Sequence, residues 1–302
     1  MKINTIRDFG TILAFELRKS NRTRTAETYE ASLRSFIRFR NGKDLPLSRL
    51  SQNVILEYQG WLQQKGLRPG SVSFYMRVLR AIYNQAVERN IISDCRPFRK
   101  AYTGIPSTVH RALTLEELKR LAGLRLIFNT GSMAFALDMF IMSFYLRGMN
   151  LSDLARLKWT DIRKDRLCYR RRKTGKLLSM EWTVEMKEIA QKYNRVSSPY
   201  LFPLLSDSET INTRFRTMTQ RINRTLHQIS KILGIRNGNV TFYCARHTWA
   251  TVARNAGTPV SVISDALGHS SEAVTRIYLD SIDGTTIDKV NRKLINMINS
   301  RR

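Results

Sequence analysis

Two stretches in the last quarter of the chain hold residue types that act on anions. TFYCARHTWAT, residues 241–251, contains Arg246; LGHSSEAVTRIY, residues 267–278, contains His269 and, nine residues on, Tyr278. An arginine presents a planar, permanently charged fork that grips two oxygens of an oxyanion at once. A histidine adds a hydrogen bond to the same oxygens, and a tyrosine hydroxyl is a latent nucleophile where nearby cations absorb the charge its attack creates. Each residue also has a plain structural alternative: Tyr278 as the core tyrosine of an amphipathic helix, His269 as a helix-end histidine. In the first case Gly268 ends one helix, Ser270 or Ser271 caps the next, and Tyr278 rides on it.

The charge balance points the same way. The 302 residues carry 51 Lys and Arg against 24 Asp and Glu, a formal charge of +27, far beyond what solubility needs. A polyanionic partner is the natural inference. Residues 1–100 contribute +11 and the remainder +16, so a basic tail does not account for it. A generic basic protein is the bland alternative, and a membrane-surface role fits less well because no basic amphipathic anchor stands out. Cys95, Cys168 and Cys244 are far apart, odd in number and without metal-ligand spacing. That usage fits a reduced, cytosolic protein with no structural disulfide or zinc. The N-terminal apolar run is broken by Glu16, too short for a signal peptide. The stretch from Met133 to Leu146 is too short to span a bilayer and contains Asp138, which makes it a buried core helix.

The elements that must position these residues fall into two groups. In TAETYEASLRSFIRFRNG, Tyr29, Leu33, Phe36 and Ile37 recur at helical spacing and Asn41-Gly42 supplies a stop. A second helix runs from Ser51 to Gly66 with Val54, Ile55, Tyr58, Trp61 and Leu62 on one face. A third follows Pro69-Gly70 with Val72, Met76, Leu79 and Tyr83 inward, leaving Arg77 and Arg80 on the other faces. With the N-terminal segment these make a bundle of about four helices over residues 1–100. The stretch from Arg96 to Ala112 has prolines, a glycine, basic residues and no periodicity, and we place a linker at 101–112. Thr114 to Glu117 reads as a capping box that opens a second, mixed domain over 113–302. Within it RLCYRRRKTGKLLSMEWT has two β-prone arms around Thr174-Gly175, a hairpin carrying Lys173 and Lys176. The chain then returns to helix and ends in an amphipathic segment with Ile287, Val290, Leu294, Ile295 and Ile298 inward. The fold class is mainly α with a small antiparallel β-sheet.

Taken in this order, KTGK, ARHTWAT and LGHSS followed by a tyrosine, in so basic a chain, resemble the tyrosine recombinase or phage integrase family over nearly the whole length. The resemblance implies a SAM-like helical core-binding domain followed by a mixed α/β catalytic domain. It implies a site-specific recombinase that cleaves and rejoins DNA strands through a 3′-phosphotyrosyl ester, in integration, excision or inversion, with no ATP or metal cofactor. Tyr278 would be the nucleophile, Arg246 and His269 would hold the phosphate, and Lys173 would protonate the leaving 5′-oxygen, with Lys176 as the alternative acid. Double-stranded DNA would be the partner, with a tetramer assembled on two sites, an accessory DNA-bending host protein, no membrane, and a location at the nucleoid in the cytoplasm. Only about two dozen residues precede the first confident helix, which disfavours a separate arm-binding domain and favours inversion or resolution. Two other readings share these features: a catalytically silent DNA-binding protein of the same fold, and a tyrosine-type topoisomerase.

Two positions depart from the family pattern. The family's first catalytic arginine sits in a GxR turn, and LRGMNLSDLARL puts Asn150 there. Asn150 with Asp153 makes an N-cap pair for the next helix. Arg147, three residues earlier and one helical turn away if the preceding helix continues, is the expected replacement. Tyr243 stands three before Arg246, where the family usually has histidine. A phenol hydrogen-bonds a phosphate but accepts a proton poorly near pH 7. His247 belongs to the family's Arg-His pair and is read as structural, and His110 and His227 as surface or packing residues.

Overall fold

The computed structural model describes residues 5–104, 112–128, 130–194, 198–205, 211–235, 238–269, 271–272 and 275. It divides into two compact units, Met1–Ser107 and Thr108–Arg302.

Among the described residues the first unit is built from four α-helices, α1 (Ile6–Lys19), α2 (Thr23–Phe39), α3 (Gln52–Gln64) and α4 (Pro69–Glu88). Their ends follow local chemistry. Thr5 caps α1 by accepting from the Asp8 amide, Ser51 caps α3 by accepting from the Val54 amide, and Pro69 opens α4 where no amide partner is needed. Asn41 and Gly42, both at positive φ, turn the chain after α2. The apolar stripes meet in one core of Phe9, Leu33, Phe36, Tyr58, Met76 and Leu79. The Tyr58 ring lies edge-on to Phe36 at 5.2 Å, and its hydroxyl donates to Ser35 Oγ at 2.8 Å. The stretch expected to be a linker is partly claimed by this unit. The Tyr102 amide donates to Gln59 Oε1 at 2.7 Å and Ser73 Oγ donates to Gly104 O at 2.5 Å, while Phe98, ahead of that stretch, is buried in the core. Residues 105–111 of that stretch lie outside the described residues, as does the C-terminal amphipathic segment.

In the second unit α5 (Leu115–Ile127) opens on the expected box: the Glu117 amide donates to Thr114 Oγ1 at 3.1 Å and the Thr114 amide to Glu117 Oε2 at 2.8 Å. Next come α6 (Gly131–Tyr145), the short α7 (Leu151–Leu154), and strands β1 (Ile162–Arg163), β2 (Arg166–Arg170) and β3 (Leu177–Glu181). After them come α8 (Val184–Lys192), α9 (Ile211–Ile232), α10 (Cys244–Asn255) and α11 (Val260–Leu267). The antiparallel sheet runs β1-β2-β3, with Leu167 facing Met180 and Arg170 facing Leu177. Residues 171–176 therefore form the hairpin connection, longer than the two-residue turn that Thr174-Gly175 suggested. The apolar stretch is indeed a core helix: α6 contributes Leu137, Phe140 and Met142 to a core completed by Leu167, Met180, Leu226, Ile229 and Ala245. Among the described residues no helix is long and apolar enough to cross a membrane.

Asp138 is fully buried in that core helix, and three donors offset its desolvation. They are Arg125 Nε at 2.6 Å, Lys192 Nζ at 2.8 Å and the Tyr193 hydroxyl at 2.5 Å. Breaking a buried pair costs about 3–5 kcal/mol. Because the Arg125 and Lys192 side chains keep 18% and 32% of their exposure, Asp138→Ala should fall at the low end of that range. The midpoint of urea unfolding measures this; a loss below about 1 kcal/mol, typical of a surface pair, would mean that water already satisfies both cations.

Candidate active site

Helix α10 starts directly after Tyr243 and buries Cys244, Ala245, Arg246, Thr248 and Ala250, so its first turn is enclosed on most sides. Arg246 is thus carried into the unit rather than out to solvent, with 4% of its surface exposed. Its Nη1 donates to Gly148 O at 3.0 Å, and its Nη2 to Leu267 O at 2.6 Å. The same Nη2 lies 2.9 Å from His269 Nε2. Residues 98 and 21 positions away in sequence are thereby joined by one guanidinium.

Gly148 explains the close approach. It has φ +70, and a Cβ there would lie 2.6 Å from Arg246 Cα, so the backbone after α6 passes where no side chain fits. Arg147 also has positive φ, +57. The helix does not continue as the sequence suggested: α6 ends at Tyr145, and the Gly148 and Met149 amides fold back onto Ser143 O at 2.8 and 3.2 Å. Arg147 is therefore not a helical turn from Asn150 but in a left-handed reversal, a conformation that costs a non-glycine residue about 1–3 kcal/mol and clusters at functional sites. Its Nη1 points toward Ser179 O on β3, at 3.5 Å. Asn150 is the N-cap of α7. Its Oδ1 accepts from the Asp153 amide at 2.9 Å and from Ser152 Oγ at 2.6 Å, and its Nδ2 donates to Asp153 Oδ2 at 2.9 Å.

Arg147, Arg171 and Arg246 all act electrostatically on the Tyr169 hydroxyl. Burial pushes that hydroxyl up to about 12, the negative charge of Asp153 adds to the rise, and the three arginines oppose it. The sequence offered Arg170, Arg171 and Arg172 as an undifferentiated basic run, yet only Arg171 is buried.

Helix α11 ends at Gly268, in the left-handed conformation at φ +65, and the His269 amide closes onto Ser264 O at 3.0 Å. The His269 side chain is buried, and its Nδ1 lies 2.7 Å from Thr275 Oγ1. Arginine only donates, so Nε2 accepts and the neutral ring carries its proton on Nδ1, toward Thr275. Burial, then the charges of Arg246, Arg171 and Lys173, lower its pKa to about 3. The cluster thus holds a neutral histidine whose ring is a hydrogen-bond acceptor toward Arg246. A linkage follows: the unfolded chain takes up a proton at this histidine near pH 6.5, and the folded chain refuses it until about 3. Stability contributed here should be complete above about pH 6.5 and drain away as pH falls toward 3. His269→Gln should flatten the pH dependence of the urea midpoint across that window; an unchanged slope would mean the imidazole is solvated in solution.

Lys173 is exposed in the hairpin connection, close enough to His269 to lower its basicity. Lys176 is instead engaged with Asp265 at 2.7 Å. Tyr243 is 40% exposed, and its ring meets His247 edge-on at 5.0 Å. Tyr278 and Ser270 lie outside the described residues. Arg246, His269 and Lys173 are thus brought together, with Arg147 at their edge. Arg171, Thr174 and Thr275 are neighbours that sequence reasoning missed.

The family model described as the phage integrase family matches residues 111–284. The chain belongs to the phage integrase family. A phage integrase SAM-like domain matches residues 7–101. The tyrosine recombinase XerA of Pyrococcus furiosus is 26% identical over 237 residues, covering 74% of each chain. The tyrosine recombinase XerD of Xanthomonas axonopodis pv. citri is 24% identical over 268 residues, 84% of this chain and 86% of its own. The same fold occurs in a lambda integrase dimer bound to a COC′ core site, with TM-score 0.67, 17% identity and coverage of 92% of this chain and 98% of that one. It occurs also in the Tn1549 transposon integrase in complex with circular intermediate DNA, with TM-score 0.68, 16% identity and coverage of 95% and 98%. As a phage integrase family member the protein is a tyrosine-type site-specific recombinase, an enzyme of DNA strand cleavage and rejoining.

Proposed function

We propose that residues 113–302 form the catalytic domain, in which Tyr278 attacks a DNA phosphate held by Arg246, His269 and Arg147, while residues 1–100 grip the duplex as a core-binding domain. The phenolic oxygen bonds to phosphorus and gives up its proton to water. The bond from phosphorus to the 5′-oxygen breaks, and Lys173 protonates that oxygen as it leaves. The 3′-phosphotyrosyl ester conserves the bond energy, and the 5′-hydroxyl of another strand reverses the step.

The observation that carries this reading is the buried pairing of the Arg246 guanidinium with the His269 ring, with the Lys173 hairpin beside it. A phosphate entering there replaces the carbonyl oxygens that Arg246 now holds and meets preorganised donors in a water-poor setting. His269 Nε2 must then donate rather than accept, and the incoming anion favours that change because it offsets the cations that lower the ring's basicity. Arg147 supplies the charge that Asn150 lacks. Support for this lies in its place beside Gly148, which packs on Arg246, and in the full use of the Asn150 side chain as a helix cap. Tyr243, at the start of α10, adds a hydrogen bond to the phosphate.

Integration, excision and inversion all use this chemistry. The partners proposed are double-stranded DNA, three further copies of the chain in a tetramer on two sites, and an accessory DNA-bending protein, at the nucleoid in the cytoplasm. The test is covalent trapping: nicked duplexes tiled from the DNA on either side of the protein's own gene, in which the released fragment diffuses away after cleavage. A protein-DNA band joined through a 3′-phosphate and stable to denaturant is expected, and its absence across all duplexes that bind would refute the reading.

A further inference from the structure

Arg171 lies between two exposed arginines and is itself 6% exposed. Burying a guanidinium costs several kcal/mol unless its hydrogens find acceptors, so its position needs a compensating contact. Its Nη1 donates to Gly268 O, the carbonyl that follows α11. Thr174 Oγ1 donates to the same oxygen at 3.2 Å, and Arg246 Nη2 takes the preceding carbonyl, Leu267 O, at 2.6 Å. Two guanidiniums, one from α10 and one from the hairpin, therefore hold consecutive carbonyls at the C-terminal end of α11. There the helix leaves its acceptors open and its dipole is negative. His269 is the next residue along.

The main chain of Arg171 closes the turn that carries Lys173. Its amide donates to Lys176 O at 2.9 Å, and its carbonyl accepts from the Gly175 amide at 2.8 Å. Gly268 completes the contact from the other side. A Cβ there would meet Leu178 Cδ1 at 2.9 Å and Arg171 Cδ at 3.0 Å, so the hairpin packs on a position where no side chain fits.

We propose that Arg171 is a positioning residue for the cleavage step: it fixes the hairpin turn against the Gly268 carbonyl so that Lys173 reaches the phosphate gripped by Arg246. It acts through Lys173 and not on the phosphate. The inference rests on the reading of Lys173 as the acid for the 5′-oxygen. The shared influence of Arg171 and Lys173 on His269 agrees with one cluster held in place by this contact.

A leaving group that needs no acid separates positioning from folding. The full chain is assayed on two nicked duplexes of a site that the wild-type protein cleaves. One is ordinary; the other carries sulfur in place of the bridging 5′-oxygen at the scissile phosphate. A thiol ionises near pH 8.5, so the sulfur departs without a donated proton. Arg171→Met should lose roughly tenfold to a hundredfold on the oxygen strand and recover wild-type speed on the sulfur strand, the pattern also expected of Lys173→Ala. If Lys173→Ala is slow on both strands, the lysine is not the acid, and both the reading and the inference fall. If Lys173→Ala recovers on sulfur while Arg171→Met is slow on both strands, or fast on both, the lysine keeps its role and the inference about Arg171 is overturned. Thr174→Val, an exposed change at the same carbonyl, serves should Arg171→Met fail to fold. It should show a smaller loss on oxygen with recovery on sulfur, and equal speeds relative to wild type on the two strands would overturn the proposal.

Discussion

Tyr278→Phe is expected to abolish the covalent protein-DNA adduct while leaving DNA binding intact. The substitution removes one oxygen, the atom that would bond to phosphorus. In the proposed function phosphate grip draws on the basic side chains of both halves of the chain, which carry +11 and +16 over residues 1–100 and 101–302. Binding measured by mobility shift should therefore match the wild type, and the denaturant-stable band on nicked duplexes should vanish. A Tyr278→Phe protein that still forms a 3′-linked adduct would move the nucleophile to another hydroxyl. Loss of binding together with cleavage would make the tyrosine a structural residue, as its place in an amphipathic sequence also allows.

Arg147→Ala should lower the cleavage rate roughly a hundredfold or more, the scale of one lost oxyanion contact. The transition state gathers negative charge on the phosphoryl oxygens, and an asparagine amide cannot neutralise it. Asn150→Ala should act on stability, costing roughly 0.5–2 kcal/mol as a lost helix cap. Its side chain is occupied by Asp153 and Ser152 within the first turn of α7. Single-turnover cleavage and urea unfolding of both variants separate the two roles. A fully active Arg147→Ala beside a folded but dead Asn150→Ala would assign the chemistry to the asparagine. Normal cleavage by both would hand the phosphate to another cation, and Arg172, exposed in the hairpin connection, is the neighbour to examine.

The sequence by itself determined the features whose partners lie a few residues apart. Thr114 and Glu117, Ser51 and Val54, and Asn150 and Asp153 form caps within a single turn, so their spacing in the chain is already their spacing in space. The helical stripe of Tyr58 and Leu62, the hairpin arms, the buried stretch of α6 and the family itself were legible for the same reason: local periodicity and short motifs carry them. Tertiary structure decided everything that depends on a distant acceptor. Whether α6 runs on through Arg147 is set by the need for Gly148 to pass against Arg246, 98 positions away. Which of three consecutive arginines is buried is set by a carbonyl at Gly268, 97 positions from Arg171. Phe98 joins the helical core although Pro97 and the basic residues around it show no helical periodicity, because burying one aromatic ring outweighs that lack. The protonation of His269 belongs here too, since a histidine in solution is half charged near pH 6.5. Burial beside Arg246, Arg171 and Lys173 lowers its pKa to about 3 and makes it a neutral acceptor toward Arg246.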